Sequence, residues 1–166
     1  MAVREPCPGC GLPSGRQVCQ EIFNDVSLRV RALAWTDSLK TWRLMHDVYA
    51  LQHPDELCST PRQLVLHLGG VGLAIEHEGD ERAYRALQQV AERAAGSNDP
   101  FPPPPGLPVG RGSVRVDSLE SLSDPPSLAA GIDRWARATW LAWAPLQPLA
   151  REWIQQALAL VPGRRS

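Results

Sequence analysis

The chain has 166 residues, enough for one domain with a buried core, so it needs no metal ion or disulfide merely to rescue a small core. Its formal net charge of −1 provides no long-range field for nucleic acid or an anionic membrane, and we expect neither as a partner. The N-terminus lacks the apolar stretch of a secretory signal, and no run approaches the roughly 20 apolar residues of a membrane span. We therefore expect a cytoplasmic protein whose four cysteines stay reduced, as metal ligands or free thiols.

The first segment, residues 1–16, is rich in glycine, proline and cysteine and is predicted to be a Cys knuckle. Its sequence CPGCG at residues 7–11 separates two thiols by two residues, so a tight turn can aim both sulfur atoms at one tetrahedral ion. Gly9 and Gly11 supply the backbone freedom that such a turn needs. Two alternatives are an incidental pair in a flexible tail and a thioredoxin-like redox pair. No βαβ pattern surrounds the segment to favour the redox pair.

Helical periodicity begins near Gln17 and marks residues 17–96 as the helical core. Apolar residues at spacings of three and four predict the first helix. A second helix, capped by Asp37 or Ser38, should end before Pro54 because the residue before a proline disfavours the helical conformation.

A third helix should start at Pro61, which suits the first helical turn, and a fourth should follow Asp80. Residues 97–112 contain four consecutive prolines and predict an extended, polyproline-like linker. Residues 113–166 are rich in tryptophan and should form C-terminal helices that pack on the core. Two prolines should kink or split this region, namely Pro145 and Pro148. We therefore predict an all-α single domain: an antiparallel bundle of about five helices with an N-terminal zinc knuckle and a Pro-rich linker.

Antiparallel packing places the start of the first helix beside the end of the second. Cys19, in the first turn of helix one, should therefore lie near His53, the last residue before Pro54. The knuckle directly precedes helix one and lies at the same end. Three thiolates and one imidazole form a closed set that suits structural zinc. The predicted Zn²⁺ ligands are Cys7, Cys10, Cys19 and His53, with Cys58 as the reserve ligand.

A second polar cluster is predicted inside the bundle. His46 and His53 stand about 10 Å apart along one helix, too far for both to bind one ion. His46 should instead lie level with His67 of the third helix, and Asp47 and Tyr49 are nearby. Two histidines on facing helices could form an open metal site. The alternative is that they only hydrogen-bond to each other or to Tyr49.

The segment MHDVYALQHP at residues 45–54, taken with CPGCG, resembles an uncharacterised bacterial family of unknown function. Its most specific part is DxYxxQHP, and the tryptophan-rich residues 134–153 resemble the family's C-terminal helix. Two features depart from the family pattern. Asp47 directly follows His46, where the family has threonine and valine between them, and Leu146 and Gln147 replace a histidine pair. An interior metal site completed by those histidines is therefore not expected here, whereas the resemblance supports metal binding.

Three functions are compatible with these patterns. The first is a non-catalytic, structural-zinc binding or regulatory module, which could have a protein partner. The second is a metal-dependent enzyme, a hydrolase or thiol transferase, that uses the second polar cluster. The third is a redox sensor in which oxidation of Cys7 or Cys10 releases zinc. The tryptophans are expected in the core rather than on a nucleic-acid platform, because no basic stripe accompanies them.

Overall fold

The computed structural model describes residues 5–32 and 38–162, and within these ranges the chain forms seven α-helices and no strand. The all-α prediction is confirmed. In chain order the helices are α1 (Arg16–Ala32), α2 (Ser38–Gln52), α3 (Pro54–Leu57), α4 (Pro61–Glu76), α5 (Glu81–Ala95), α6 (Pro125–Ala142) and α7 (Gln147–Ala159). Two short 3-10 turns, Val116–Leu119 and Ala144–Leu146, precede α6 and α7.

Prolines account for the two helices beyond the predicted five. The second helix ends at Gln52, as expected, but Pro54 starts the separate four-residue helix α3 rather than a loop. The C-terminal region is split before α7, and Pro148 lies in the first turn of that helix. A proline is tolerated there because the first backbone N–H groups of a helix have no intrahelical acceptor. The predicted cap at Asp37 lies outside the described residues, as does the side chain of Ser38.

Two helix starts have a polar cap followed by proline at the first helical position. The Thr60 hydroxyl accepts a hydrogen bond from the Gln63 N–H at 3.2 Å at the start of α4. The Asp124 carboxylate accepts one from the Ser127 N–H at 2.9 Å at the start of α6. Each cap satisfies one of the backbone donors that a helix N-terminus leaves free.

The helix α2 lies at the centre of one hydrophobic cluster and packs against α1, α4 and α6. A second cluster joins α5 and α7 to the outer face of α4. Three of the four C-terminal tryptophans lie in the core as predicted, since Trp135 and Trp143 are fully buried and Trp140 is 5% exposed. The fourth, Trp153, is only partly buried.

The end of the Pro-rich segment is attached to the bundle by the buried side chain of Gln52. Its amide nitrogen donates hydrogen bonds to the carbonyls of Arg111 and Val114, both at 2.8 Å. This interaction holds the connection between α5 and α6 beside the end of α2, close to the predicted zinc site. Among the described helices, none has both the length and the apolar character that crossing a bilayer requires.

Candidate metal centre

The N-terminal segment forms a tight turn that directs both of its thiols towards the bundle. The Gly11 N–H donates to the Cys7 carbonyl at 2.8 Å, and the Cys7 N–H donates to the Leu12 carbonyl at 2.9 Å. Gly11 has a φ of +73°, a conformation that glycine adopts without steric cost. Leu12 is only 2% exposed, so its side chain anchors the turn in the core.

The structure brings the four predicted ligands together at one end of the α1–α2 pair. Their ligand atoms all lie within 4.8 Å of one another. His53 Nε2 lies 3.3 Å from Cys7 Sγ and 3.5 Å from Cys19 Sγ, and Cys10 Sγ lies 3.6 Å from Cys19 Sγ. A tetrahedral ion with Zn–S bonds of about 2.3 Å requires sulfur–sulfur separations of about 3.8 Å. The Cys10–Cys19 separation is close to this value, and the most widely separated pair would have to approach by at most about 1 Å, so the residues present fit a zinc ion.

Burial makes this a closed site. Cys19 is fully buried, Cys7 and His53 are each 2% exposed, and Cys10 is 9% exposed. Four protein ligands fill a tetrahedral coordination sphere, which leaves no position for water or substrate.

His53 is oriented by its own helix and by the knuckle. Its Nδ1–H donates to the Tyr49 carbonyl at 2.8 Å, so the lone pair of Nε2 faces the thiols. A metal-binding histidine is commonly fixed in this way through its second nitrogen. Gly9 lies against the other side of the ring, where an added Cβ would come within 2.2 Å of His53 Cδ2. The absence of a side chain at Gly9 therefore allows the knuckle to close on the imidazole.

A tyrosine and an arginine lie directly beside the thiols. The Tyr49 hydroxyl lies 3.9 Å from Cys19 Sγ, and its ring is centred 4.1 Å from that of His53. The Arg16 guanidinium donates to this hydroxyl and forms an ion pair with Glu56. Three thiolates, a neutral imidazole and a divalent ion would carry a net charge of −1 beside this Arg16–Glu56 ion pair.

Cys10 and Cys19 interact directly through their sulfur atoms, which lie 3.6 Å apart. The hydrogen bond between them lowers the pKa of Cys10 against the opposing effect of burial. The same hydrogen bond and burial raise the pKa of Cys19. The two thiols therefore titrate as a coupled pair. A metal ion binding there would displace the remaining thiol protons.

Cys58, predicted as the reserve ligand, lies outside this group. It is fully buried, and its thiol faces the Ala50 carbonyl at 3.6 Å. Burial raises its pKa to about 12, so it stays protonated at neutral pH. The prediction that Cys58 is a reserve metal ligand was wrong, because the short helix α3 directs this thiol into the core instead of towards the knuckle.

The predicted second polar cluster is centred on Asp47, which is 3% exposed. Its carboxylate accepts hydrogen bonds from His67 Nδ1 at 2.9 Å and from the Tyr84 hydroxyl at 2.6 Å. Burial raises the pKa of Asp47, although both donors act in the opposite direction. Gly70 leaves room for the carboxylate, since a Cβ there would lie 2.4 Å from Asp47 Oδ2. The position of Tyr84 along α5 fits an apolar helical stripe, so periodicity alone gives no signal for this contact.

The enzyme hypothesis needs the four residues of the second polar cluster to lie in one site, and they do not. They are His46, Asp47, Tyr49 and His67. His46 hydrogen-bonds through Nδ1 to the Trp42 carbonyl at 2.8 Å, and burial lowers its pKa. The predicted alternative was that His46 and His67 hydrogen-bond to each other or to Tyr49. Neither histidine does so. Tyr49 instead lies beside the metal centre. Among the described residues, the Cys₃His set is the only group of three or more potential ligands that converge.

Comparison with known proteins places the chain in a family. A family model described as "Family of unknown function (DUF5946)" matches residues 5–144, which include the knuckle and helices α1 to α6. No curated protein and no solved structure matches the chain. The match covers most of the 166 residues and all four converging ligands. The chain therefore belongs to DUF5946, a family of unknown function.

Proposed function

We propose that this protein binds one zinc ion in the Cys₃His centre and acts as a structural-zinc binding or regulatory module. The observation that supports this proposal is the convergence of four buried ligand atoms within 4.8 Å of one another. In this proposal the ion attaches the N-terminal segment to helices α1 and α2. Its effect is to fix the surface of the knuckle, which we propose as the region that a protein partner recognises.

Ligand chemistry favours zinc over other ions. Thiolates and imidazole together suit zinc, whereas magnesium and calcium prefer oxygen ligands. The separations between the sulfur atoms suit a tetrahedral ion, the usual geometry of structural zinc. A reducing compartment, the cytoplasm, suits the proposal because the ligands must remain unoxidised thiolates.

The test is the zinc content of purified protein and of two matched cysteine variants. We expect about one equivalent of zinc in the natural protein and none after extensive dialysis of Cys10→Ser. Cys58→Ser is the matched control, since Cys58 is also a buried free thiol but is not among the converging ligands. It should keep its zinc. Equal zinc content in the two variants would contradict the proposal.

A second candidate function, a thiol redox sensor, is favoured by the 3.6 Å separation of Cys10 Sγ and Cys19 Sγ. Hydrogen peroxide would oxidise the two thiolates to one disulfide and, with two protons taken from solvent, would be reduced to two molecules of water while zinc is released. Mass spectrometry after peroxide treatment should then find a Cys10–Cys19 disulfide together with loss of zinc. If zinc stays bound until the protein unfolds, this second function is wrong and the structural role stands.

A further inference from the structure

A cavity of about 320 Å³ lies where the Pro-rich segment passes the start of α4, the end of α5 and the outer side of α7. None of the metal-centre residues lines it. Its floor is formed by the buried side chains of Leu64 and Val65, and one wall by Leu149 and Trp153. Its volume is at the lower end of the range for small-molecule sites, which are mostly apolar.

Both sides of the cavity are attached to the protein core. Trp153, on α7, packs against both hydrophobic clusters. On the opposite side, Phe101 packs against the larger cluster and lies among the prolines of the linker. Prolines restrict the backbone on the linker side of the cavity. The cavity is therefore formed without a flexible loop having to take up a new conformation.

One charged residue is among those that line this mostly apolar space. Asp99 is exposed, and its carboxylate forms no hydrogen bond or ion pair with any described residue. Its backbone N–H donates to the Ser97 hydroxyl at 3.0 Å, which holds the residue at the rim. No other lining residue carries a charge. A carboxylate without a partner beside apolar walls is complementary to a cation with an apolar body.

We propose that this cavity binds a small organic amine. Its ammonium group would pair with Asp99, and its aromatic or branched aliphatic body would fill the space beside Trp153. Trp153 and Leu149 lie beyond residues 5–144, which the family model matches. The proposed site therefore depends on the C-terminal helix of this chain as well as on the matched region. It is independent of the zinc proposal, because the two sites share no residue.

The test uses 2-phenylethylamine as the probe and phenylacetate as a matched anion with the same ring. Binding to the purified protein is measured by saturation-transfer NMR and by titration of backbone amide shifts. We expect the amine to shift the amides of the linker and of α7, and to bind several-fold more tightly than the anion. Equal binding of amine and anion, or no binding at millimolar concentration, would overturn the proposal.

Two pairs of variants locate the binding. Ala94→Phe should fill the cavity and abolish binding, whereas Ala95→Phe changes the neighbouring exposed residue and should not affect it. Asp99→Asn should weaken amine binding by about threefold, as expected for a partly exposed ion pair, while Asp55→Asn should leave it unchanged. Unchanged amine binding in folded Ala94→Phe or in Asp99→Asn would refute the site. A dimer that Ala94→Phe dissociates would show that a second copy occupies the cavity, and would also overturn the proposal.

Discussion

The Tyr49 hydroxyl accepts from the Cys19 thiol at 3.9 Å and donates to Gln20 Oε1 at 3.1 Å, and it would turn its proton to the Cys19 thiolate if an ion were bound. We expect Tyr49→Phe to weaken zinc binding by about tenfold to a hundredfold, the usual effect of removing a group that orients a ligand. The stoichiometry should not change, because all four ligands remain. Competition with a chromophoric chelator measures the affinity. Tyr84→Phe is the control, since that hydroxyl donates to Asp47 instead, and equal losses in both variants would contradict this role for Tyr49.

Gly9 is a second residue on which the metal centre depends. A methyl group at this position would overlap the His53 ring and come within 2.7 Å of the Gln52 carbonyl. We expect Gly9→Ala to move the knuckle off the imidazole and to lower the zinc content, although it removes no ligand. Gly110→Ala is the control, because nothing lies within 4 Å of its Cβ position. Full zinc occupancy in Gly9→Ala would show that the turn can adjust.

At the scale of helices, the caps of α4 and α6 should respond differently to pH. The Ser127 N–H lowers the pKa of Asp124 below its ordinary value of 3.8. The ionised cap therefore contributes stability above that value, and this contribution is lost as pH falls through the lowered pKa. We expect the difference in melting temperature between the natural protein and Asp124→Ala to be largest near neutral pH and to shrink in acid.

The Thr60 cap is the uncharged comparison. Thr60→Ala should lower the free energy of unfolding by about 1 kcal/mol, because the Gln63 N–H loses its acceptor. This loss should be nearly independent of pH, since a threonine hydroxyl does not titrate between neutral and acid pH. Thermal melts of both variants across the same pH series test the pair. A pH-independent effect of Asp124→Ala would mean that its charge plays no part in the cap.

The helices and the four converging ligands could be predicted from the sequence because both depend on local signals and on one simple packing rule. Antiparallel α1 and α2 bring Cys19 beside His53 whatever the details of packing. The contact between Asp47 and Tyr84 could not be predicted, because it depends on how α2 and α5 are rotated about their axes. The direction of the Cys58 thiol depends on the single turn of α3, and this helix is too short to have a periodic pattern.

For the whole molecule, the two hydrophobic clusters predict an uneven response to loss of zinc. The thiols belong to the larger cluster with α1 and α2, whereas α5 and α7 contribute mainly to the second. We expect chelation to reduce hydrogen-exchange protection most in Arg16–Ala32 and Ser38–Gln52. Glu81–Ala95 should change little. Equal loss of protection throughout would mean that the ion stabilises the bundle as one cooperative unit.

The positions of the ligands along the chain have a consequence for biosynthesis. All four lie within the first 53 of 166 residues, so the set is complete before the tryptophan-rich helices have been translated. If the centre binds zinc as proposed, the nascent chain could capture the ion before α6 and α7 have left the ribosome. The metallated hairpin of α1 and α2 would then offer a preformed surface on which the later helices assemble.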